Sequence, residues 1–130
     1  MSPEIIRTNR APTPVGPYNQ ATIAGGRMMF VSGQIPLDPQ TNEIVHPQDV
    51  GKQTEQVMAN LEAILQAAGV GWQQVVKINI YLADINDFAT VNQIYGQYFH
   101  ENAPARACIQ VAALPKNSLV EMECIAAIDE

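Results

Sequence analysis

The chain has 130 residues and a formal net charge of −6, from 7 Lys and Arg against 13 Asp and Glu. That length supports one domain around one core, and 47% apolar with 15% charged residues is the composition of a globular protein. Scattered basic residues on an acidic background repel phosphate backbones, which argues against nucleic acid as a partner. No apolar run reaches membrane-spanning length, and residues 1–10 lack the apolar centre of a secretory signal, so no membrane partner and a cytoplasmic location are expected.

Taken in order, Glu4 to Thr8 reads as a short strand. Residues 9–17 hold three prolines and a glycine, an extended loop that cannot be helical, and it delivers Tyr18. Asn19 to Ala24 and Arg27 to Ser32 read as strands joined at Gly25-Gly26, a pair suited to a tight hairpin. Ser32-Gly33-Gln34 closes the second of them. Gly33 there permits either close approach of a ligand or a bulge. Leu37 to Pro47 is a polar surface loop. Asp49 is the expected N-cap of a helix running to about Ala68, with Gly69 just beyond its end. Thr54, Val57, Met58, Leu61, Ile64, Leu65 and Ala68 recur at spacings of three and four and form one apolar stripe.

Val75 to Leu82 alternates as a strand, with Val76, Ile78, Ile80 and Leu82 on one face. Asp84 to Asp87 caps a second helix, expected from Asp87 to His100, with Phe88, Val91, Asn92, Tyr95, Tyr98 and Phe99 as its stripe. Asn92 interrupts that stripe, and a buried amide must find partners, so it pins a loop or faces a pocket. Two strand-like runs follow around a turn at Leu114 to Ser118. The first places Ala107, Ile109 and Val111 on one face and Arg106, Cys108 and Gln110 on the other; the second places Val120, Met122, Cys124, Ala126 and Ile128 opposite Glu121, Glu123, Ile125 and Ala127. The polar faces are either a site or a wetted side of an antiparallel sheet. On these assignments the two cysteines lie on opposite faces and do not pair. His46 and His100 are isolated and no Cys-x-x-Cys occurs, so no metal site is expected. The element order fits one sheet with two helices on one face, whose uncovered side is expected to meet other subunits.

Several segments in order carry a resemblance: Ala11-Pro12, Val15-Gly16-Pro17-Tyr18, Val31-Ser32-Gly33-Gln34-Ile35-Pro36, Asp84 to Asn92, Pro104-Ala105-Arg106-Ala107-Cys108, Ala113-Leu114-Pro115-Lys116 and Val120-Glu121-Met122-Glu123. Together they resemble the RidA/YjgF family of reactive-intermediate deaminases, also labelled the L-PSP endoribonuclease family. The resemblance implies a chorismate-mutase-like α+β fold and a homotrimer with three pockets at subunit boundaries. It implies hydrolysis of 2-imino acids or their enamine tautomers, such as 2-iminobutanoate and 2-iminopropanoate, to 2-keto acids and ammonia, with no metal or cofactor. Such imines leave pyridoxal-phosphate enzymes such as threonine dehydratase, which would be the functional partners. In this chain Arg106 would clamp the substrate carboxylate, as a planar guanidinium does with two parallel hydrogen bonds. Glu121 would activate the attacking water. Tyr18, Ser32, Gly33, Asn92 and Cys108 match the remaining pocket positions, Cys108 through its backbone and shape, and Glu123 is structural. The segment Phe99 to Pro104 is shorter than in some members. A different reading is a non-catalytic trimer that binds a small carboxylate metabolite, for which Arg106 suffices and Glu121 brings nothing. A ribonuclease is disfavoured by the acidic surface.

Overall fold

A computed structural model describes residues 3–128. The six strands are β1 (Glu4–Ile6), β2 (Ala21–Ile23), β3 (Arg27–Gln34), β4 (Val75–Leu82), β5 (Ala105–Gln110) and β6 (Val120–Ile128), and the helices are α1 (Val50–Ala67) and α2 (Phe88–Tyr95). Four strands form a mixed sheet in the order β3-β6-β4-β5. β6 runs antiparallel to both neighbours, while β4 and β5 run parallel with α2 in the crossover between them.

The expected hairpin at Gly25-Gly26 does not form. β2 pairs with β1 in a separate two-stranded ribbon, and β3 pairs with the C-terminal β6. Gly26 takes the left-handed conformation that a turn needs (φ +88°). The turn redirects the chain, but pairing along β6 then claims β3 from Arg27 to Val31 and again at Gln34. The single sheet expected thus holds for four of the six strands.

α1 begins where expected: the Asp49 carboxylate accepts from Lys52 N at 3.0 Å. It ends at Gly69 (φ +72°), whose N–H and that of Val70 return to the carbonyls of Gln66 and Leu65. Its stripe packs on the sheet through Val57, Met58, Leu61 and Leu65, all essentially inaccessible. Burying each contributes about 1.5–3 kcal/mol. α2 is shorter than expected. After Tyr95 the chain tightens into three-residue bonds from Gln97 to Ile94 and Tyr98 to Tyr95. Gly96 stands at that point, where a glycine weakens helix and its bare Cα lets Pro17 pack within 3.5 Å of where a Cβ would stand.

Register fixes which groups share a face. Ile78 and Ile80 of β4 stand opposite Arg106 and Cys108 of β5, and opposite Cys124 and Met122 of β6. That is the helix-covered face. Asn79 and Tyr81 stand opposite Ala107 and Ile109, and opposite Glu123 and Glu121, on the uncovered face. The face expectation therefore holds for β6 and inverts for β5: Arg106 and Cys108 point to the helices, and Ala107 and Ile109 point outward. Both cysteines lie on the helix side and both are free thiols. β4 runs between their strands, so their backbones stand about 10 Å apart, beyond disulfide reach.

Candidate active site

Two polar clusters stand out. The first surrounds Arg106, at the sheet edge beneath α2. Its guanidinium is half-buried, and Nη1 donates to Asn92 Oδ1 at 2.6 Å. Three aromatic rings box its Cζ: Tyr18 at 4.9 Å, Tyr95 at 5.1 Å and Phe88 at 5.6 Å from their centroids. Burial lowers the guanidinium's pKa, partly offset by the Tyr95, Cys108 and Tyr18 groups around it, yet arginine stays charged. Arg106 is thus a desolvated cation whose side-chain partner among the described residues is a neutral amide. Such a group suits an anion, because part of the cost of drying it has been met on folding and no side-chain carboxylate among the described residues holds it.

Local sequence explains how the box is built. Phe88, Asn92 and Tyr95 follow spacings of four and three and share one face of α2. Tyr18 is set by a tight turn in which its N–H donates to Gly16 O at 2.8 Å, and its hydroxyl accepts from Val15 N at 3.2 Å. Asn19 secures the loop from behind, donating to the Glu101 and Ala103 carbonyls at 3.0 and 2.6 Å. Cys108 lies two residues along β5, half-buried, and burial raises its pKa despite the nearby Arg106. A thiol held protonated is a poor nucleophile.

The second cluster lies on the uncovered face. Glu121 lies over Gly33 of β3, where any side chain would overlap its Oε2. The β3–β6 register slips between Val31 and Gln34, so Gly33 makes room for a carboxylate within a bulge. Ser32 is exposed beside it. Burial and then the charge of Glu123 raise the Glu121 pKa. Glu123 behaves oppositely: Tyr81 Oη and Asn79 Nδ2 donate to its Oε2 at 2.7 and 3.1 Å and hold its pKa down. The two neighbouring glutamates are therefore chemically distinct, one favoured in its charged form and one that holds its proton to higher pH than usual.

The seven candidate residues separate accordingly. Tyr18, Asn92, Arg106 and Cys108 come together; Ser32, Gly33 and Glu121 come together; the chain does not join the two groups. Arg106 stands opposite Ile78, and Glu121 opposite Tyr81, three residues further along β4 and one strand to its other side. Their backbones are roughly 14 Å apart and the side chains leave opposite faces. Phe88, Tyr95 and Gly16 were missed as site residues by sequence reasoning. The spacing of Phe88 and Tyr95 around Asn92 was the available signal. Among the described residues, no group of three or more His, Cys, Asp and Glu is disposed to hold a metal.

The chain is a two-layer α+β domain with a half-buried arginine box on one sheet face and a carboxylate pair on the other, so its polar clusters are split between surfaces. Comparison with known proteins gives the family. Residues 8–128 match the family model described as Endoribonuclease L-PSP. The chain is 56% identical to a RutC family protein of Synechocystis sp., covering 98% of both chains. It is 50% identical to the 2-iminobutanoate/2-iminopropanoate deaminase of Rattus norvegicus, covering 95% of this chain and 88% of that one. The structure of E. coli TdcF with bound serine superposes with a TM-score of 0.73 at 46% identity, covering 97% and 99% of the two chains. The chain belongs to this L-PSP, or RidA/YjgF, family.

Proposed function

We propose that the protein hydrolyses reactive 2-imino acids and their enamine tautomers, 2-iminobutanoate and 2-iminopropanoate among them, to 2-keto acids and ammonia. The observation that carries this is the Arg106 box: a fixed, half-buried cation with a neutral side-chain partner fits a small carboxylate. The deaminase name of a relative 50% identical supports the reaction. A relative with bound serine supports a substrate of amino-acid size bearing a carboxylate.

Arg106 grips the substrate carboxylate while the aromatic rings exclude water from behind it. Glu121 takes a proton from a water whose oxygen adds to the C=N carbon, and passes that proton to the imine nitrogen to give a carbinolamine. Glu121 then takes the carbinolamine's hydroxyl proton as the C=O forms and the C–N bond breaks, and delivers it to the departing nitrogen, so ammonia leaves and the carboxylate is regenerated. Alignment does much of the work, since the imine is already electrophilic. Because Arg106 and Glu121 diverge within one chain, the working pocket joins Arg106 of one copy to Glu121 of the next. A homotrimer closes three such pockets. The uncovered sheet face supports assembly: Phe30, Ile109 and Met28 are 74, 49 and 37% exposed there. The enzyme would act in the cytoplasm beside pyridoxal-phosphate dehydratases, without metal or cofactor.

The test is a competition. Threonine dehydratase generates 2-iminobutanoate and semicarbazide traps it. The protein is expected to lower semicarbazone formation, and Arg106→Ala is expected not to. An equal yield of semicarbazone with and without the wild-type protein would overturn the deaminase reading for this substrate. The divergence of Arg106 from Glu121 favours a second reading, a carboxylate-binding regulator that uses the arginine box alone. Under that reading Glu121→Gln leaves ligand binding intact and there is no turnover to lose.

A further inference from the structure

Gly16 stands where the proline-rich loop meets the guanidinium. A Cβ on Gly16 would lie 2.9 Å from Arg106 Nη2 and 3.2 Å from Asn92 Nδ2. The first distance is inside van der Waals contact and the second is tight. We propose that Gly16 is a positioning residue for the carboxylate clamp: its bare Cα is the stop against which the guanidinium is seated. This rests on the reading of Arg106 as the substrate's carboxylate clamp.

Each side of the guanidinium is otherwise fixed. Asn92 holds Nη1, and the Tyr18, Tyr95 and Phe88 rings close around Cζ. Tyr95 is inaccessible to solvent and packs against Phe99 at 4.8 Å between centroids, so the back wall does not yield. The loop is stiff as well. Pro14 and Pro17 flank Gly16, the Gly16 carbonyl accepts from Tyr18 N, and Pro17 packs on Gly96. A methyl group at position 16 therefore cannot be absorbed by the loop. It displaces the side-chain ends of Arg106 and Asn92, which under the proposed function are the groups that meet the substrate.

Gly16 does not adopt a left-handed φ, so alanine carries no backbone strain there. Replacing a glycine in an ordinary conformation narrows the unfolded ensemble and favours folding slightly. Stability and ligand affinity are thus expected to move apart, which a residue of purely structural importance would not do.

The experiment compares wild type, Gly16→Ala, Arg106→Ala and the double variant. KM and kcat are measured with 2-iminobutanoate, the dissociation constant with 2-oxobutanoate as a stable carboxylate probe, and the melting temperature for each. Gly16→Ala is expected to raise KM and the probe's dissociation constant by about 10- to 100-fold, the scale of an ångström-sized misplacement. Its kcat stays within about twofold and its melting temperature does not fall. In the Arg106→Ala background the same change is expected to have no further effect on probe binding, the signature of action through the arginine. Wild-type affinity for the probe in Gly16→Ala, or an equal loss in both backgrounds, would overturn the proposal. Absence of turnover in wild type would count against the deaminase reading alone, because the probe-binding arm still reports on Gly16.

Discussion

The Arg106 box and the Glu121 patch lie on the same sheet and are finished to different degrees. Around Arg106 one chain supplies everything: two loop residues, three positions of α2 and two of β5, with the guanidinium hydrogen-bonded and walled by rings. Around Glu121 one chain supplies a floor and no roof. The carboxylate rests on Gly33, its neighbour Glu123 is pinned by Tyr81 and Asn79, and apolar side chains beside them are exposed. The difference teaches that binding and proton transfer are prepared by separate parts of the fold. Under the proposed function the first is complete within one chain, and the second would be completed by assembly.

That contrast can be sharpened by removing each half. Glu121→Gln is expected to lower kcat by about 10²–10⁴-fold with KM nearly unchanged, since it removes the base and leaves the clamp. Steady-state rates with 2-iminobutanoate check it, and a large rise in KM would place Glu121 in binding instead. Arg106→Ala removes two charge-assisted hydrogen bonds and is expected to weaken binding of 2-oxobutanoate by roughly 10²–10³-fold, read by calorimetry.

A smaller effect is expected at Gln53, a fully buried amide on α1 that reaches the start of β6. Its Oε1 accepts from Leu119 N at 2.8 Å, and its Nε2 donates to the Val45 and His46 carbonyls at 3.2 and 3.1 Å. Gln53→Ala strands those backbone groups and is expected to cost about 2–4 kcal/mol in urea denaturation. Because Leu119 leads into Glu121, kcat should suffer in the folded variant more than probe binding does. Glu123→Gln should have the smallest effect. A base works as the carboxylate, so activity rises as pH increases through the Glu121 pKa, which burial and Glu123 hold above the ordinary value. Removing the Glu123 charge lowers that pKa, so the acid limb of the kcat profile should move to lower pH. A limb that moves upward or stays fixed would show that Glu121 is not the titrating base.

Local signals in the sequence were read well where one face is buried. The alternation of β4 from Val76 onward and of β6, the stripe of α1 from Thr54 to Leu65 and the caps at Asp49 and Gly69 appear as expected, whereas Ala68 is the exposed C-cap of α1 and Val75 is buried beside a register shift. Failures came where the deciding partner is distant in sequence. Gly25-Gly26 promises a hairpin, yet β3 is claimed by a strand about a hundred residues away. In β5 the apolar Ala107 and Ile109 face outward because Arg106 lays its stem beneath α2 among aromatic rings. A rule that sends charge to water must invert at such a position. Seven of the residues proposed for the site were visible in sequence, but Phe88, Tyr95 and Gly16 were not, nor was the division of the seven between two faces. Face is a property of pairing register, which no single strand reveals.

The composite pocket is tested most directly by mixing subunits. Arg106→Ala and Glu121→Gln proteins, each inactive, are combined in equal amounts, unfolded and reassembled together. If Arg106 of one copy works with Glu121 of the next in a trimer, every mixed trimer holds one intact site, and random assembly should restore about a quarter of wild-type activity. If both residues act from the same chain, no mixture contains an intact site, and activity that stays at the level of the separate variants would contradict the account.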